Sequence, residues 1–131
     1  MANPNIVSVA TILGGNLGWN LSATATTTLM TVAAEKIVKV NRITVANVDG
    51  AAAADVSLFV DGLTTAGATG ITPTGASATV YLAKTISVPA DATLVISDTP
   101  IYLMEGDILK GGASAASDLD LFISYEVLDD A

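Results

Sequence analysis

The 131-residue chain has no cysteine and no histidine. Without thiols there is no disulfide framework and no thiolate nucleophile, and redox usage gives no clue to compartment. Without imidazole the chain lacks the usual acid/base group near neutral pH and the commonest transition-metal ligand. It also lacks the central member of a Ser-His-Asp triad. Basic residues are scarce, five against thirteen acidic ones, for a net charge of −8. Phosphate binding depends on clustered Lys and Arg. Here Lys36, Lys39 and Arg42 form the one local basic group and read as the solvated edge of a strand, while Lys84 and Lys110 stand apart. Nucleic acid is therefore not expected as a partner. Apolar runs are short and broken by Thr, Ser, Asp or Gly, so no membrane span is expected. Residues 1–7 have no basic segment followed by a long apolar stretch, which gives no support for a secretory signal.

What is present points to a packed β structure. Hydrophobic residues make up 51% and charged residues 14%, a balance that favours a core over disorder. The length suits one domain over residues 1–131, able to bury about two-thirds of the surface of its unfolded chain. Alanine supplies much of the hydrophobic fraction, so the core must come from Val, Ile and Leu with Trp19, Phe59, Tyr81, Tyr102, Phe122 and Tyr125. A surface of small residues with few charges suggests that neighbouring subunits cover part of it.

Periodicity sets the fold class. Leu119, Leu121, Ile123, Tyr125 and Val127 share one parity, while Asp118, Asp120, Ser124 and Glu126 share the other with Phe122. That alternation predicts a strand with one face in a core and one in water. Residues 36–48 form a second strong strand. Val38 and Val40 are out of phase with Ile43 and Val45, and a bulge near Asn41-Arg42 would bring both pairs to one face. Asp49-Gly50 turns the chain into an alternating strand through Val56, Leu58 and Val60. Residues 80–88 predict a strand with Val80, Leu82, Ile86 and Val88 facing together. Shorter strands follow at 93–97 and 101–104, and across Ile108-Leu109. Upstream, residues 6–13 are a β candidate ending at Gly14-Gly15. Residues 21–32 are Thr-rich and β-prone, and residues 33–35 are a connector. Residues 1–13 read as an N-terminal arm or strand, and residues 61–78 as a long surface loop suited to packing against a neighbour. The expected fold is all-β: a single antiparallel, jelly-roll-like β-sandwich of about eight strands.

Little in the chain suggests chemistry. Glu105 and Asp107 flank Gly106 and, with Asp98, are the candidate carboxylates for joint action, as in glycoside hydrolysis or calcium binding. The run from Leu103 to Leu109 also reads completely as a turn. Leu103 and Ile108 or Leu109 enter the core, Gly106 takes a positive φ, and Asp107 accepts backbone N–H bonds. Asp118, Asp120 and Glu126 lack the dense ligand spacing of a calcium loop. Residues 14–18 are glycine-rich without phosphate-loop spacing and read as a turn or bulge. No catalytic residue, cofactor or metal ligand is assigned, and no enzyme activity is expected. The candidate interface residues are Ile6, Val7, Trp19, Leu63 and Ile71.

Several segments resemble small virion structural proteins of tailed bacteriophages, including marine and cyanobacterial phages. They are Asn41-Arg-Ile-Thr-Val-Ala-Asn-Val-Asp-Gly with Ala54-Asp-Val-Ser-Leu, and Val88-Pro-Ala-Asp-Ala-Thr-Leu-Val-Ile. Pro100-Ile-Tyr-Leu-Met-Glu-Gly-Asp-Ile-Leu and Ala115-Ala-Ser-Asp-Leu-Asp-Leu-Phe-Ile-Ser-Tyr-Glu carry the same likeness. The resemblance spans residues 36–128 and implies a capsid decoration (cement) protein. Its partners would be the major capsid protein and copies of itself, for instance as a trimer, on the capsid exterior of the virion after synthesis in the host cytoplasm. The alternative it implies is a tail, neck or fibre component, including a host-surface binding module.

Overall fold

The computed structural model describes residues 9–68 and 70–129. It contains nine strands and, among the described residues, no helix. These are β1 (Thr11–Asn20), β2 (Thr28–Thr31), β3 (Lys36–Asn47), β4 (Ala54–Asp61), β5 (Val80–Val88), β6 (Thr93–Ser97), β7 (Ile101–Leu103), β8 (Ile108–Ala113) and β9 (Leu119–Asp129). They form two antiparallel sheets. One runs β1-β9-β3-β6, with β7 also on β3, and the other runs β2-β8-β4-β5. The chain crosses from sheet to sheet so that its first strand pairs with its last and its second with its last but one. That is the interleaving of a jelly roll. The strand count exceeds eight because one edge lane is split: residues 98–100, which include Pro100, divide β6 from β7 along β3.

The core lies between the sheets and is aliphatic. Val40, Ile43 and Val45 of β3 meet Val56 and Leu58 of β4, Leu109 of β8, and Leu119, Leu121 and Ile123 of β9, all essentially inaccessible to water. Fully burying each such side chain contributes about 1.5–3 kcal/mol. The β3–β9 ladder shifts register between Val40 and Arg42, and this bulge puts Val38, Val40, Ile43 and Val45 all into the core. Asn41, beside the shift, donates from its amide to Glu126 Oε1 at 3.2 Å.

Four expectations are corrected. First, β1 does not stop at Gly14-Gly15 but runs unbroken to Asn20, with ten consecutive pairs to β9. Residues 14–18 are therefore strand, not turn. Gly15 lies opposite Tyr125, and a Cβ there would sit 2.6 Å from the Tyr125 hydroxyl, so glycine makes room for the ring across the ladder. Second, within the Thr-rich stretch only Thr28–Thr31 is regular strand, while Leu21, Ser22 and Thr27 add single backbone bonds to β9 and β8. Just before it, the Thr27 hydroxyl and N–H both donate to the Thr24 carbonyl, and the Ser22 and Thr27 hydroxyls meet at 3.0 Å. Short hydroxyl side chains there compete with the sheet for the backbone, taking up the Thr24 carbonyl while those of Ser22 and Thr27 still accept from β8.

Third, Val80, Leu82 and Ile86 are exposed, and only Ala83 and Val88 of β5 are buried. β5 is an edge strand whose pairing with β4 slips twice, and Thr85 adopts φ 48°. Neither parity can stay on the core. Fourth, the segment with Lys36, Lys39 and Arg42 is not a strand edge, since β3 lies between β9 and the β6–β7 lane. Lys36 pairs with Asp129 at 2.8 Å.

Candidate assembly interface

Several acidic groups hold structural roles. Asp107 is buried. Its carboxylate accepts the Met104 N–H at 2.8 Å, and its own N–H donates to the Met104 carbonyl at 3.0 Å. Gly106 between them holds φ 87°. Leu103 and Leu109 are buried on either side, with Ile108 partly so. Glu105 points to another segment and accepts the backbone N–H of Glu35. Burial pushes the Asp107 carboxyl above its ordinary value, against the opposing effect of the Met104 hydrogen bond. Asp120 accepts from the Asn20 amide at 2.7 Å. Among the described residues, no group of three acidic side chains converges as a metal site would require.

Asp61 closes the long loop. Its carboxylate accepts from the Thr79 hydroxyl at 2.7 Å, from the Gly62 N–H at 2.9 Å and from Lys110 Nζ at 2.9 Å. The Lys110 hydrogen bond first, then those from Thr79 and Gly62, lower its pKa from 3.8 to about 2. Leu63 N–H donates to the Ala78 carbonyl at 3.0 Å, so the loop is pinned where it leaves and rejoins the sandwich.

The interface candidates separate. Trp19 and Leu63 are half-buried and pack against the core. Ile71 stands on the loop, 61% exposed. Ile6 and Val7 lie outside the described residues. The broad apolar surface is elsewhere, on strand edges. Ile12, Leu13 and Leu17 are exposed on β1, Val80, Tyr81, Leu82 and Ile86 on β5, Val95 on β6 and Tyr102 on β7. Phe122 adds an exposed ring on β9. Beside it, Gly18, Trp19, Asn20, Asp120, Leu121 and Phe122 line an open hollow of about 300 Å³. The sequence signal for β1 was its ten residues without a charge or proline, obscured by the glycine pair.

No family model matches the chain, and no curated protein matches it. A solved structure of Bacillus endospore appendages, described as disulfide-linked pili, is similar over 92% of this chain and 90% of its own. The identity is 15% and the TM-score 0.43. At that distance the likeness carries no argument about function. No described helix is long and apolar enough to cross a membrane.

Proposed function

We propose that this chain is a non-enzymatic virion structural protein, a capsid decoration protein on the head exterior of a tailed bacteriophage. It works by adhering to the major capsid protein and to copies of itself. The observation that carries the reading is the set of exposed apolar side chains along the strand edges of a jelly roll in which Asp107 serves a turn and Asp61 a loop closure. Such a surface offers backbone pairing and apolar contact rather than a converging catalytic group. The phage resemblance of residues 36–128 supplies the shell. Many modest contacts repeated over a lattice hold collectively where one alone would not.

Counting the protein in purified particles by quantitative mass spectrometry tests this. Hundreds of copies per particle, with heat and osmotic resistance lost in particles lacking it, are expected. A handful of copies would overturn the decoration role and favour the tail, neck or fibre. In that second reading the loop at 62–79, with exposed Ile71, carries contacts to a host surface, and its deletion abolishes cell binding.

A further inference from the structure

Of the sheet edges among the described residues, three are guarded against a further strand. β2 is four residues long. The β6–β7 lane is broken at residues 98–100, which include Pro100. β5 carries Lys84, a left-handed Thr85 and two register shifts. Short strands, proline, lysine and bulges are the devices that stop edge pairing. β1 has none of them: ten residues, no charge, no proline, no register shift.

The register also fixes which groups are open. Leu21 N–H donates to the Leu119 carbonyl at 2.8 Å, and pairing continues without a slip. Bonding alternates along an antiparallel ladder. The odd-numbered residues of β1 therefore bond β9, and the N–H and C=O groups of Ile12, Gly14, Asn16, Gly18 and Asn20 point outward.

We infer that β1 pairs antiparallel with β1 of a second copy, about a two-fold axis through Gly15, deepening the assembly reading above. Two-fold pairing of identical strands sets like faces side by side, so residues of the same parity meet. Centred on Gly15, Ile12 lies opposite Gly18 of the second copy, Gly14 opposite Asn16, and Leu13 opposite Leu17. The even residues then supply about eight backbone hydrogen bonds. Ile12, 60% exposed, seats over the glycine that opens the hollow beside Phe122. Leu13 and Leu17 share the inner-facing parity of Trp19 yet remain 57% and 38% exposed, and they cover each other across the axis. Centring on Asn16 instead sets Gly14 against Gly18 and leaves the hollow empty.

Charge favours this contact. Two copies at net charge −8 repel, and β1 is an uncharged strip along which they meet without opposing carboxylates. One edge strand lies at the small end of stable interfaces, below about 1,200 Å², so the dimer dissociates in about the micromolar range.

The test is sedimentation of the full chain from ~1 µM to ~1 mM, where a monomer–dimer equilibrium with a dissociation constant near 1 µM is expected. Asn16→Pro removes an outward N–H without costing the monomer a ladder bond. It should weaken the dimer about tenfold or more while circular dichroism is unchanged. Leu13→Cys mixed with Leu17→Cys should form a disulfide-linked pair under mild oxidation, because a non-hydrogen-bonded cross-strand pair has disulfide spacing. Leu13→Cys alone should not, its copies standing about 13 Å apart. A monomer throughout, a trimer, a ladder of larger species from β1 meeting another edge, or equal cross-linking of the single variants would overturn the pairing. Copy number in particles is read separately, so a failed dimer leaves the decoration reading standing, and a low copy number leaves the dimer standing.

Discussion

β1 and β5 are both long edge strands with exposed apolar side chains, ten and nine residues respectively, yet they present opposite backbones. β1 keeps register with β9 along its full length. β5 slips twice against β4 and holds a β-branched residue at φ 48°, a conformation such residues rarely adopt. Thr85 is held there by its N–H bond to Ser57 Oγ at 3.0 Å. Lys84 beside it lies 5.1 Å from the centre of the Tyr81 ring. Hydrophobicity alone therefore does not decide whether an edge accepts another strand. Regularity of the backbone and absence of charge do.

The largest expected effect removes the support beneath β1. Ile123 is the buried partner of Leu17 across the β1–β9 ladder, and Ile123→Ala should cost about 2–5 kcal/mol in denaturant unfolding. Leu82→Ala on exposed β5 should cost less than about 1 kcal/mol. Equal losses at the two positions would mean that β5 is as deeply packed as β9.

Next comes the turn that leads into β8. Asp107→Ala leaves the Met104 N–H without its partner and should cost about 1–3 kcal/mol. Asp107→Asn keeps an acceptor and drops the buried charge, so it should be close to neutral. Because the folded-state pKa of Asp107 is raised, its contribution falls as pH rises from about 4 through that higher value. The Asn variant should lose this dependence in urea titrations across that window.

Thr85→Gly tests the guard on β5 directly. It relieves about 1–3 kcal/mol of backbone strain against about 0.5–1 kcal/mol of glycine entropy, so a modest net stabilisation is expected. No gain would place the strain elsewhere.

Asp61 gives the smallest, most local effect. Its folded pKa lies near 2, below the ordinary 3.8, so its contribution is complete above about pH 4 and is lost as pH falls towards 2. Protease cleavage within residues 62–79 should speed up over that range. In Asp61→Asn, cleavage should be fast at neutral pH and insensitive to acid.

The sequence pattern conveyed what local periodicity can convey. In β9 the alternation of Leu119, Leu121 and Ile123 names the core face. In β3 the phase change between Val40 and Ile43 marks the bulge. β5 has the same apolar alternation, but alternation does not say whether a strand is central or at an edge, and the two slips scramble its parity. β1 is hidden in the sequence because Gly14-Gly15 resembles a turn locally. What calls for glycine at 15 is the Tyr125 ring, brought there only by the pairing of first strand with last. The exposed apolar surface was legible only in part for the same reason. Exposed Ile71 stood out, whereas Leu63 was drawn onto the core and the open strip of β1 emerges only once both sheets are assembled.

Residue-resolved amide hydrogen exchange, compared at low and high protein concentration, bears most directly on the difference between the two edges. The outward amides of Ile12, Gly14, Asn16 and Gly18 should become protected as concentration rises, while the outward amides of β5 exchange at one rate throughout. Unchanged exchange along β1, or protection arising at β5 instead, would contradict it.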